Sequence, residues 1–126
     1  PNTPAVSLIY ALAEQVAWIE RETLESRWAR HEAIARRTWV WVDEMRERGV
    51  ELSIVAPEGY RSPTVTCIRL PEDRTGPEIA AAVAERGGFT IAPGYGKLKD
   101  QMFRIGHMGE HTIEELLAAL EEVLVR

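Results

Sequence analysis

The sequence predicts a single α+β domain: two long N-terminal helices, then a small, mainly antiparallel sheet with helices on one face. Three observations predict it. Apolar side chains recur at helical spacing through residue 48. Short runs rich in β-branched residues, divided by Gly and Pro, dominate the second half. Two stretches there open with a Thr followed three residues later by a Glu, the pattern of a capped helix.

The first helix is read from Thr3-Pro4, with Thr3 as N-cap and Pro4 at the first helical position. Leu8, Ile9, Leu12, Val16 and Ile19 form its apolar stripe, and Arg21-Glu22-Thr23 mark a kink or short turn. The second helix runs from Leu24 to Arg48. Leu24, Trp28, His31, Ala35, Thr38, Val42 and Met45 fall on one face, and Gly49 is placed to end it in a left-handed conformation. Leu52–Val55 and Val65–Leu70 read as strands, joined by a Pro57–Pro63 loop. Thr75-Gly76-Pro77-Glu78 opens a short helix that Gly87-Gly88 closes. Phe89–Ala92 reads as a strand, Pro93–Lys97 as a glycine-rich loop and Met102–Gly106 as a strand. Thr112 with Glu115 is expected to cap a last amphipathic helix bearing Leu116, Leu117, Leu120 and Leu124. The N-terminal helices are expected to supply part of the cover for the sheet's opposite face.

A chain of 126 residues suffices for one domain with a real core. Its 15 basic and 20 acidic residues give a net charge of −5, so it lacks the general attraction used by non-specific nucleic-acid or anionic-membrane binders. No apolar run approaches the length of a membrane span, and no signal peptide is evident. Cys67, the single cysteine, excludes an intrachain disulfide and fits a reduced, cytoplasmic setting. The chain opens on Pro1 without an initiator Met and is read as beginning mid-sequence or as processed. Lysine is scarce: Lys97 and Lys99 stand against 13 arginines.

Candidate chemistry is sparse. Phe103 and Ile105 point to one side of their strand and Arg104 to the other. Such an Arg is ordinarily just solvated; its functional reading is a guanidinium that binds a carboxylate with two parallel hydrogen bonds. Gly94, Gly96, Gly106 and Gly109 would let a ligand approach the backbone nearby. Thr3 at a helix start is either a plain cap or part of a phosphate site, since a helix N-terminus offers unpaired N–H groups. His107 and His111 are four apart, but Gly109 intervenes and no third metal ligand is evident, so no metal is expected. His31 reads as a packed core histidine, and Cys67 as a small strand residue rather than a nucleophile. Trp18, Trp28, Trp39 and Trp41 all lie in the helical half, where core or helix–helix packing explains them.

Three segments together are more specific. Thr3-Pro4-Ala5-Val6 with Leu8–Leu12, Arg61-Ser62-Pro63-Thr64-Val65-Thr66, and Phe103-Arg104-Ile105-Gly106-His107-Met108-Gly109 resemble, in order and at about the right spacing, segments of the class V aminotransferases. The branch they resemble is the serine–pyruvate or alanine–glyoxylate type. The resemblance implies the small C-terminal domain of a fold type I pyridoxal-phosphate enzyme acting as a homodimer. Residues 1–126 would be that single domain, with 1–49 a helical connector and 50–126 an α/β sandwich, the large cofactor-binding domain being absent. By the same resemblance Arg104 binds the substrate α-carboxylate, and Thr3 reaches the cofactor phosphate of the neighbouring subunit. The substrates would be a small amino acid such as alanine or serine and a 2-oxo acid such as glyoxylate or pyruvate. Neither Lys97 nor Lys99 matches the family's Schiff-base lysine, so the chain alone is expected to be inactive and to carry no catalytic residue. It is also expected to self-associate through an apolar face. Two alternatives stand beside this reading: another class V activity such as an aminoethylphosphonate–pyruvate transaminase, and a stand-alone, non-catalytic interaction domain.

Overall fold

A computed structural model describes residues 4–125 of the chain. They form α1 (Val6–Glu22), α2 (Leu24–Glu47), β1 (Ser53–Ile54), β2 (Val65–Arg69), α3 (Gly76–Gly87), β3 (Ala92–Pro93), a short 3-10 turn (Gly96–Leu98), β4 (Met102–Gly106) and α4 (Glu114–Leu124). The chain divides into two compact units, Pro1–Arg30 and His31–Arg126.

In the first unit, α1 starts at Val6 with Ala5 in the cap position, two residues later than the Thr3-Pro4 signal predicts. Ala5 has no side-chain oxygen, so no side-chain cap bond forms. Thr3 itself lies outside the described residues. The expected break is present: Thr23 adopts φ 73°, rare for a β-branched residue, and its hydroxyl accepts from Ser26 N–H at 3.3 Å. Glu22 braces the break. It accepts from Arg27 Nη1 and Arg30 Nε, both at 2.7 Å. The Arg30 hydrogen bond, foremost, holds its carboxyl below the usual range. No residue of α1 is buried, and Leu24 and Trp28 at the start of α2 are exposed too.

The second unit carries the core. From Ile34 onward α2 buries Ile34, Ala35, Thr38, Trp41, Val42 and Met45. The predicted stripe thus holds at Ala35, Thr38, Val42 and Met45, while the larger Ile34 and Trp41 beside it widen the seam. Gly49 ends the helix at φ 87°, as expected. The sheet has the order β1-β2-β4-β3, with every pairing antiparallel. Ile68 pairs with Phe103 and Thr66 with Ile105, and these four side chains are buried. Ile79 and Val83 of α3 and Leu117 and Leu120 of α4 pack into the same cluster. So do Trp41, Val42 and Met45, and Trp39 Nε1 donates to Thr66 Oγ1 at 2.9 Å. α2 therefore covers the face that α3 and α4 cover, not the opposite face as expected, because its apolar stripe packs into the same core cluster as theirs.

Two further expectations fail locally. The third strand is Ala92–Pro93, displaced from Phe89–Ala92, because β4 offers pairing partners to residues 92 and 93 through Arg104 and Phe103. At the last helix Ile113, not Thr112, occupies the cap position, and no side-chain cap bond forms. Ile113 is buried in the core cluster, so docking of its side chain sets the helix start. Thr75 does form its capping box with Glu78, and Gly88 closes α3 at φ 69°.

Candidate functional site

Arg104 lies mid-way along β4, between Cys67 of β2 and Ala92 of β3 in register. Alternation sends Phe103 and Ile105 into the core and Arg104 to the other face, where it is half-buried. Its Nε donates to the Pro93 carbonyl oxygen at 3.0 Å. Among the described residues it forms no ion pair. With Nε committed, the Nη1/Nη2 end is the fork left for a ligand, the geometry that matches the two oxygens of a carboxylate.

The neighbouring glycines divide into two roles. Gly94 is buried, and a Cβ there would overlap the Leu98 carbonyl and crowd Met102, so this glycine serves chain packing rather than ligand access. It lets the Gly96–Leu98 turn fold back onto β4, with Gly94 N–H donating to Met102 O at 2.7 Å. That same fold holds the Pro93 carbonyl against Arg104. Gly96 (φ 55°) and Gly109 (φ 116°) satisfy backbone needs. Gly106, two residues beyond Arg104 on the same face, has open space where a Cβ would stand. Cys67, directly across from Arg104, is half-buried and borders this face.

The histidines divide similarly. His107 continues the inward alternation of Phe103 and Ile105 and is fully buried. Its backbone N–H donates to Thr64 O at 2.9 Å, and its Nε2 lies 2.8 Å from Thr66 Oγ1. Its Nδ1 has no partner. Burial, reinforced by His111 and His31, pushes its pKa down to about 4. His111 is exposed and faces backbone carbonyls. Among the described residues no group of three His, Cys, Asp or Glu is placed to hold a metal. His31 is half-buried and its Nε2 accepts from Gly109 N–H at 3.4 Å, joining the second helix to the loop after β4. Reading residue by residue missed the Trp39–Thr66–His107 chain. Extending the alternation of β4 by one step would have found its histidine.

Pyridoxal phosphate needs an amine for its Schiff base. Lys97 and Lys99 are exposed, on and just after the short turn, and neither borders a described cavity. Neither described lysine is placed in a described cavity as a Schiff-base amine.

In fold and in sequence the chain is similar to part of several aminotransferases. Its similar proteins include alanine–, serine–, aspartate– and ureidoglycine–glyoxylate aminotransferases and soluble hydrogenase subunits. Among particular relatives, an uncharacterized aminotransferase of Methanocaldococcus jannaschii is 36% identical over 95% of this chain and 30% of its own length. The alanine–glyoxylate aminotransferase of Oryctolagus cuniculus is 31% identical over 98% of this chain and 31% of its own. The crystal structure of ureidoglycine–glyoxylate aminotransferase from Bacillus subtilis superposes with a TM-score of 0.86 at 30% identity, covering 99% of this chain and 32% of that one. No family model matches the chain. The chain thus spans about 30% of the length of the curated relatives it matches.

Proposed function

We propose that this chain is the substrate-carboxylate-binding small domain of a pyridoxal-phosphate-dependent aminotransferase, in which Arg104 grips the α-carboxylate. One observation carries the reading: a half-buried guanidinium fixed through Nε to the Pro93 carbonyl, with no carboxylate partner among the described residues. A charged group so placed gains most from an anion that arrives with the substrate. The amino donor is a small amino acid such as alanine or serine and the acceptor a 2-oxo acid such as glyoxylate or pyruvate. The two named relatives described above share glyoxylate and differ in the donor. A common acceptor with varied donors fits one carboxylate grip with different side-chain contacts elsewhere. Thr3, on this proposal, contributes to the phosphate site of a neighbouring subunit in a homodimer, and the Schiff-base lysine lies outside the chain.

The test uses the complete aminotransferase containing this segment, with alanine and glyoxylate. Arg104→Gln should lower kcat/KM by ~100- to 1000-fold, or about 3–4 kcal/mol of transition-state binding. Arg104→Lys should recover only part of it, because the ammonium lacks the fork. Activity of Arg104→Gln within about threefold of the parent would remove Arg104 from the site. As a second check, the 126-residue chain incubated with pyridoxal phosphate and borohydride should show no stoichiometric labelling of a single lysine.

A further inference from the structure

Arg61 is held differently from the chain's ion-paired arginines. Its guanidinium carbon lies 5.4 Å from the centroid of the Trp39 ring, a cation–π contact. Its Nε is buried without a hydrogen-bond partner, and among the described residues it forms no ion pair. A buried donor on a charged group is costly to leave unmade.

The plate under Arg61 is rigidly mounted. Trp39 Nε1 donates to Thr66 Oγ1 at 2.9 Å, and that oxygen lies 2.8 Å from His107 Nε2. Thr66 is 3% exposed and His107 0%. Because Thr66 and Cys67 alternate along β2, this anchor is on the opposite face of the sheet from Arg104. Arg61 and Trp39 border a groove of about 210 Å³ whose other walls include Ile54, Val55, Tyr60 and, from the Arg104 face of β2, Val65 and Cys67; Arg104 itself does not line it. Of the groove's hydroxyls, Ser62 Oγ lies 2.8 Å from Thr64 Oγ1 and Thr66 Oγ1 accepts from Trp39 Nε1.

We propose that Arg61 and Trp39 form a second anion site, separate from Arg104, which takes a small carboxylate with a short apolar tail. One guanidinium matches one negative charge, and the apolar walls match a tail rather than a second anionic group. The groove is smaller than the ~300–1,000 Å³ of drug-sized sites, which limits the tail to a few carbons. A ligand carboxylate in the groove would pair with the guanidinium charge without moving the indole.

Hexanoate is a suitable probe, with hexanamide as its neutral counterpart, titrated into the ¹⁵N-labelled 126-residue chain while the Trp39 indole N–H resonance is followed. Hexanoate should shift that resonance saturably and bind at least ~10-fold more tightly than hexanamide. Arg61→Gln should weaken binding by a similar factor, and Arg61→Lys by less, since it keeps the charge but loses the guanidinium fork. Arg104→Gln should leave it within about twofold. Should Arg61→Gln fail to fold, the Arg61→Lys and Arg104→Gln arms decide. Equal binding of hexanamide, loss of binding in Arg104→Gln, no loss in either Arg61 variant, or no saturable shift each overturns the proposal. The Arg104 reading of function stands or falls separately, on the kinetics of the complete enzyme.

Discussion

At the residue scale, burial decides what a side chain does. Arg104 and His107 are three apart on one strand and its extension, yet the first lies half-buried on the outer face and the second is sealed in the core. For His107 the consequence is a pH-dependent stability. In the unfolded chain its pKa is near 6.5; in the folded chain burial brings it to about 4. Between those values the unfolded state binds a proton that the folded state refuses, so stability is full above pH ~6.5 and falls as the pH drops toward 4. The full difference is about 3 kcal/mol at 1.36 kcal/mol per unit. Urea unfolding between pH 7.5 and 4.5 should show this loss, and His107→Gln should flatten the slope. A slope unchanged by that substitution would exonerate His107. Carboxylates such as Glu22, also held below the usual range, add acid sensitivity to both proteins and cancel in the comparison.

Elements are set by whichever end contact wins. Thr75 and Thr112 carry the same Thr-x-x-Glu pattern, but only Thr75 makes its capping box. At Thr112 the next residue, Ile113, is buried in the core and takes the cap position itself. Thr75→Ala should therefore cost about 1 kcal/mol, whereas Thr112→Ala should stay within ~0.5 kcal/mol of the parent. Matched chemical-denaturation curves check both. A Thr112 effect as large as that of Thr75 would mean the box forms there after all.

For the whole molecule, the informative contrast is between an element with no buried residue and a sheet with a filled core. In proteins most helical stability comes from burying an apolar face, which α1 does not do. Amide exchange should therefore be orders of magnitude faster in α1 than in β2 and β4. Leu8, Ile9 and Leu12 are each more than half exposed, and with Val16 they line an apolar stripe of the kind that seeks a partner. Sedimentation velocity should show concentration-dependent self-association of the chain, relieved by Ile9→Asp with Leu12→Asp. A monomer at every concentration would end that expectation.

Much was legible in the sequence because it depends on local chemistry. The two helices and their break at Thr23, the left-handed stop at Gly49, the Thr75 cap and the whole of β4 follow from spacing, capping and glycine. Helical and strand periodicity also put Arg104 opposite Phe103 and Ile105, and the motif resemblance pointed to the aminotransferase relatives before any coordinates. Other features depended on which surfaces meet. The placement of β3 waited on its pairing with β4, the start of α4 on the docking of Ile113, and the choice of sheet face by α2 on Trp41 and Trp39 finding the core and Thr66. Tertiary structure alone fixed the Nε of Arg104 on the Pro93 carbonyl and set Arg61 over Trp39. Partners distant in sequence make those contacts, and periodicity within one segment carries no information about them.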